Sequence, residues 1–333
     1  MRVQPDAEEA VRERTELLRR VGRVLERAGL PSPGPDGLRR PAVAEVAHLA
    51  ARALRTGPLD PERRRTLTDR LDGASPSALG PADPQGHLTR SVARALRSIP
   101  ARLDADGQVV TAEVVAWRAS EREALARAVA LLTRVWPAAA AEVRETVTEI
   151  ALLDGEAIDG FTDFTVHGAV LVHRARLTTS GAGLPGPVRF AEALVHEGAH
   201  TRCNAAAMTE PFLLPDGPRG TDATDRGASE HGGSERGGSE RGGELLVETP
   251  LRADPRPLTG LFQQTVVLAR SVLLYRRLVG PEGPGGPAVG ARHDALRGSA
   301  YQAVDALNAH ADQLSDHGKE LLAQCADVLG GSA

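Results

Sequence analysis

The segment ALVHEGAHTR, residues 193–202, brings His196, Glu197 and His200 together. In a helix, positions i and i+4 lie one above the other on one face, so the two imidazoles point the same way and can share one cation. Glu197 is about 100° further round the helix and reaches the other side of a water held by that cation. This is the HExxH arrangement. Its neighbours Phe190, Ala191, Ala193, Leu194 and Val195 are apolar, which predicts a buried helix. Three ionisable side chains on a buried helix are costly unless something pairs them, and a divalent metal does so. The competing reading is a pair of hydrogen-bonded core histidines.

Two imidazoles leave a metal site incomplete. A third protein ligand is needed, with positions left open for water and substrate. The residues after His200, TRCNAAAM, carry no HExxHxxGxxH continuation. Glu248, in VETPLRADPRP, is the candidate ligand, with Asp254 as the alternative; Glu210 follows the helix too closely. A surface or capping carboxylate is the competing reading for each. Arg252 and Arg256 flank Asp254. They either clamp a carboxylate in bidentate fashion or form a structural salt bridge with Asp254.

The remaining candidates are read more plainly. Cys203, three residues after His200, is expected to be a small buried thiol. His167 and His173 are six apart, which puts them on one face of a continuous strand, either touching substrate or partly exposed. His231 is expected to be solvated, and His293, His310 and His317 to sit on helix surfaces.

The elements that must position these residues are mostly helical. Apolar spacing predicts helices over 6–30, 41–56, 60–72, 88–98, 112–135 and 137–155, with PSPGPDG at 31–37 as a stop and 73–86 as a loop. Residues 161–177 alternate and read as one or two strands, with Gly168 as a turn or bulge. The HExxH helix follows over about 187–208. Residues 215–243, with SEHGG, SERGG and SERGG in tandem, read as a disordered insertion. LLVETPLRADPRPLTG then leads into an apolar helix over 258–279, and one or two helices close the chain over 291–328. The expected fold is mainly α with a small β element (α+β): a helical bundle with a short strand or hairpin before the metal-binding helix. The expected division is an N-terminal helical region, 1–110, and a metal-binding catalytic region, 111–333.

Composition narrows the class. A chain of 333 residues, 41% hydrophobic, supports a large core, and a net charge of -4 gives no broad electrostatic case for nucleic acid. Lys319 is the only lysine, and Ala, Gly and Pro abound, as GC-rich bacterial codon usage produces. Cys203 and Cys325 form no CxxC pair or disulfide framework, so a reducing cytoplasm is expected. The N-terminus lacks an apolar signal region, and no run of about 18 apolar residues predicts a membrane span.

From about Val135 to Leu278 the chain resembles the HExxH-motif peptide-modification proteins, which act on ribosomally made peptides and are sometimes fused to radical-SAM maturases. The likeness is carried by VWPAAAAEVRETVTEIAL, LVHRARL, LVHEGAHTRCNAAA and, above all, PLRADPRPLTGLFQQTVVLARSVLLYRRL. It implies an iron(II)- and 2-oxoglutarate-dependent peptide β-hydroxylase. His196, His200 and a third ligand, Glu248 here, would hold the iron. Arg256 would bind the distal carboxylate of 2-oxoglutarate, and Glu197 would orient a ligand or water. The implied partners are a ribosomal precursor peptide and a radical-SAM maturase. Many members carry a histidine three residues after the glycine of DPRPL-x-G, where this chain has Gln263. Two readings stand beside this one. A zinc metallopeptidase would use Glu197 as general base. A non-catalytic peptide-binding partner would have a degenerate site, as Gln263 suggests.

Overall fold

The computed structural model describes residues 1–72, 80–215, 246–249 and 252–331. The tandem SEHGG/SERGG tract and His231 lie outside the described residues. For Glu248, Arg252, Asp254 and Arg256 the described part is the backbone.

Asp6 starts α1 (Ala7–Arg27), its carboxylate accepting the Glu9 N–H at 3.0 Å. A short α2 (Gly34–Leu38) lies within the proline- and glycine-rich stretch expected to be only a stop. After it come α3 (Pro41–Leu54) and α4 (Pro61–Asp72), which bury Val43, Val46 and Leu67 in one cluster with Leu25 of α1. The chain continues through β1 (Gly80–Ala82), α5 (Gly86–Ser98), β2 (Glu113–Val115), α6 (Ala119–Val135), α7 (Pro137–Thr146) and β3 (Glu149–Asp154). Next are β4 (Gly160–Thr162), β5 (Ala169–His173) and the long α8 (Gly186–Thr209). A hairpin, β6 (Leu246–Thr249) and β7 (Arg252–Pro257), precedes α9 (Leu258–Val279), α10 (Pro287–Asn308) and α11 (Asp316–Gly330). The protein is mainly helical with a small mixed sheet, an α+β fold.

The sheet runs in the order β1-β3-β5-β4, and β2 also pairs with β3. β3 is parallel to β1 and β5, while β4 and β2 lie antiparallel to their neighbours. Two of the expected helices therefore contain strands. Residues 112–135 open with β2, and 137–155 close with β3, the central strand. Ile150, Ala151, Leu152 and Leu153 are all buried, so both faces of β3 are covered. A strand buried on both faces gives a continuous apolar run, which periodicity cannot tell from a buried helix. The expected loop at 73–86 contains β1, and the segment before α9 forms a hairpin anchored by buried Val247. β1 lies before residue 110 and its partner β3 after it, so one sheet draws on both sides of that boundary.

Gly168 is the break foreseen in 161–177. Its φ of 94° is a backbone conformation that side-chain-bearing residues rarely adopt, and it starts β5 at Ala169. His167 precedes the break and His173 ends β5, so they do not share one face of a continuous strand as expected. His167 is buried. No described helix is long and apolar enough to cross a membrane.

α8 is the element the rest packs around, with α1, α6, α7 and α9 against it. One side of it carries a buried ionic knot. The guanidinium of Arg202, fully buried, is bound by Glu9 and Glu13 of α1 and by Glu142 of α7. Glu142 also pairs with Arg270 of α9. Arg202 is two residues beyond His200, about 200° round the helix, so the knot holds the face opposite the histidine.

Candidate metal centre

Glu192, His196, His200 and Asn204 recur every fourth residue and form one stripe along α8. The rings of His196 and His200 approach to 5.1 Å between centroids, edge to face. Both side chains are half-buried, so the pair sits at the margin of the core. Burial holds the His196 imidazole well below its ordinary pKa, and the nearby His200, Arg176 and Arg292 add to the effect. His196 is thus neutral at pH 7, with a lone pair available to a cation.

α9 runs antiparallel to α8 and meets this stripe twice. Gln263 Oε1 lies 2.9 Å from His200 Nδ1, and Gln263 Nε2 donates to Asn204 Oδ1 at 3.0 Å. The amide orientation set by Asn204 makes Oε1 an acceptor, so His200 carries its proton on Nδ1 and keeps the Nε2 lone pair free. Further along, Tyr275 donates to Glu192 Oε2 at 2.6 Å, and Arg292 of α10 pairs with the same carboxylate.

Glu197 points to another neighbour, the edge strand β4. Thr162 Oγ1 donates to Glu197 Oε2 at 2.7 Å, with a longer contact of 3.2 Å to the Glu197 carbonyl. A Cβ added at Gly160 would stand 3.2 Å from Glu197 Oε1, so glycine lets this backbone come close. Glu197 is buried, and burial raises its pKa, against the lowering effects of the charge at His200 and the Thr162 hydrogen bond.

The donor set fits a divalent cation in part. His196 and His200 Nε2 are two imidazole donors on one helical face, which suits a metal held by histidine. Among the described residues, no cluster of three or more His, Cys, Asp or Glu completes the shell. The backbone places Glu248 in β6 and Asp254 in β7 of the hairpin, where Val247 pairs with Arg256 next to the start of α9. The side chains of Glu248, Asp254 and Arg256 lie outside the described residues.

The other candidates fall elsewhere. Glu210 caps the end of α8 and pairs with His317 at 3.3 Å, away from the histidine pair. His317, expected on a helix surface, lies half-buried in the first turn of α11 and stacks on Phe212 with centroids 5.4 Å apart. His293 pairs with Asp294, while His310 is half-buried. Cys203 is fully buried, and burial pushes its thiol up to about 12, as it does for Cys325. Thr162, Asn204 and Arg292 were missed because their roles depend on tertiary neighbours. The spacing 192-196-200-204 was the one local signal for Glu192 and Asn204.

No family model matches the chain, and no curated protein does.

Proposed function

We propose that this protein is an iron(II)- and 2-oxoglutarate-dependent hydroxylase acting on a ribosomally made precursor peptide. The contact between His200 and Gln263 carries the reading. It joins the HExxH helix to the helix that follows DPRPL-x-G, and so links two of the stretches that carry the resemblance. His196 and His200 would hold the metal through their free ring nitrogens, and Gln263 would orient His200 rather than replace a ligand. Glu248 is the proposed third ligand, and Arg256 the proposed receiver of the distal 2-oxoglutarate carboxylate. When bound, the metal would supply activation of O₂ for insertion into a C–H bond. The chain would position the reactants: β4, the sheet edge beside Glu197, can pair with an extended peptide and present one side chain to the histidine face. Glu197, fixed by Thr162, would orient a ligand or water.

A zinc peptidase is the second reading, supported by the position of Glu197 beside the imidazole pair, from which it can serve as general base. Glu197→Gln separates the two. A peptidase loses nearly all turnover, whereas a hydroxylase retains a measurable fraction. The direct test is mass spectrometry of precursor peptides incubated with anaerobically iron-loaded protein. A gain of about 16 mass units that needs iron, O₂ and 2-oxoglutarate together supports hydroxylation. Cleaved fragments with zinc, or an intact unmodified peptide that nonetheless binds, would overturn it.

A further inference from the structure

A groove of about 1020 Å³ runs between α6, the start of β1 and the end of α7. Its floor is apolar, built by Leu125 and Val129 of α6 and Ile150 of β3. Ala126 and Ala130, exposed on the same helix, have no side chain beyond Cβ and leave the space above that floor open. Arg122 stands at one end and Arg134 at the other, about 18 Å further along α6. Among the described residues β1 ends the sheet on this side, so one edge of its backbone lies beside the groove.

The rims carry more positive than negative charge. Arg39, Arg122, Arg134 and Arg144 line the groove against one carboxylate, Glu145. Arg122 is paired with Asp83 at 3.0 Å, and Glu145 is paired with Arg14, with the Arg39 guanidinium 4.0 Å away. Arg134 and Arg144 differ from these. Both are exposed, and among the described residues neither meets a carboxylate. Arg134 donates to the Glu282 carbonyl at 3.3 Å, and Arg144 donates to the hydroxyl of Thr133, the neighbour of Arg134, at 3.0 Å. Two exposed guanidiniums at one end of the groove therefore take external carboxylates without breaking an ion pair.

We propose that this groove holds an extended segment of a partner protein, aliphatic along its middle and carrying carboxylates at the end beside Arg134 and Arg144. The length argues for a peptide, since five or six extended residues span about 18 Å. The volume reaches the top of the range of about 300–1,000 Å³ usual for small-molecule sites. Among the described residues the groove offers no aromatic ring for a base to stack on, which argues against single-stranded nucleic acid. None of these residues belongs to α8, and the proposal does not rest on the hydroxylase reading.

The test uses the full chain stripped of metal, so carboxylates cannot report on the histidine pair. The probe is a fluorescein-labelled peptide, Gly-Leu-Ala-Val-Ala-Glu-Asp-Glu, read by fluorescence anisotropy. A dissociation constant on the order of 10–100 µM is expected at low salt. The same peptide ending in Gln-Asn-Gln keeps its length, loses its carboxylates and should bind at least about tenfold more weakly. Serine in place of its leucine and valine should also weaken binding. Arg134→Glu combined with Arg144→Glu should cost about tenfold or more, and Arg134→Gln with Arg144→Gln somewhat less. Arg63→Glu with Arg65→Glu, on the exposed side of α4, changes the net charge equally and should leave the affinity within about twofold. Thermal unfolding checks that each variant folds. Absence of saturable binding by the wild-type chain overturns the proposal. So does equal binding of the amide peptide, or a loss in the α4 variant as large as that in the groove variant. Self-association of the unliganded chain that the groove variants abolish would assign the groove to a second copy and overturn it as well.

Discussion

Gln263 Oε1 accepts the Nδ1 proton of His200 across 2.9 Å, although the two residues are 63 positions apart in the chain. The contact fixes both the tautomer and the ring orientation of His200, leaving Nε2 directed away from α9. Removing such an anchor from a metal-binding histidine commonly costs about 10–100-fold in metal affinity. Gln263→Leu is therefore expected to weaken zinc or iron binding by about that factor, while the metal-free protein unfolds within about 2 °C of the wild type. Competition against a chromophoric chelator measures the affinity. An unchanged affinity would show that Gln263 does not orient His200 for a metal.

The second relationship joins Thr162 of β4 to Glu197 of α8 at 2.7 Å. Glu197 is buried, so Thr162→Val leaves one of its oxygens without that partner, at a cost of about 1–3 kcal/mol. Glu197→Gln removes the charge and weakens the same bond. A double-mutant cycle by urea unfolding should return a coupling of about 0.5–3 kcal/mol between the two positions. Additive single-variant losses would mean that Thr162 does not hold the carboxylate.

The sequence made the HExxH helix legible because its signal is local. Three residue types in fixed register on an apolar helix determine a face, and α8 presents His196 and His200 on that face. The apolar helix at 258–279 was legible from its length, an apolar run too long for a strand, since it is buried on every side from Thr265 to Tyr275. The strands were not. β3 reads as the continuation of α7 because Val147, Ile150, Leu152 and Leu153 are buried on both faces, which erases the alternation that would betray a strand. β1 is three residues long, too short for any period to register. The partners of Glu197 and Glu192 were illegible for a further reason. A hydroxyl or guanidinium chosen from another element leaves no mark in the local pattern, and only the packing of β4, α9 and α10 against α8 reveals it.

Arg202 illustrates that dependence in its extreme form. It is fully buried and bound by Glu9, Glu13 and Glu142, which lie on two other helices. Replacing Arg202 removes the cation that these three carboxylates share, leaving Arg270 to answer Glu142 and the Met1 ammonium to answer Glu9 and Glu13. Arg202→Met is expected to destabilise the protein by about 3–5 kcal/mol, measured by urea unfolding at pH 7. Arg202→Lys should recover only part of the loss, because an ammonium cannot reproduce the planar fork that meets several carboxylates at once. A loss below about 1 kcal/mol would mean that the knot does not fix α8 against α1 and α7.

His167 gives the chain a pH dependence whose sign can be worked out. Burial lowers its pKa to about 4, from 6.5 for an ordinary imidazole. The folded protein therefore keeps His167 neutral over a range in which the unfolded chain takes up a proton. Above about pH 6.5 both states are neutral at this position and its full stability contribution is present. As pH falls from about 6.5 to about 4, protonation favours the unfolded chain, with a cumulative loss on the order of 3 kcal/mol. His196 works in the same direction, and Glu197, whose pKa is raised by burial, works in the opposite one. Comparing the wild type with His167→Asn in metal-free urea titrations at a series of pH values cancels both. The variant is expected to lose less stability than the wild type between about pH 6.5 and 4. Parallel curves for the two proteins would show that the His167 ring is free to take up its proton in the folded state.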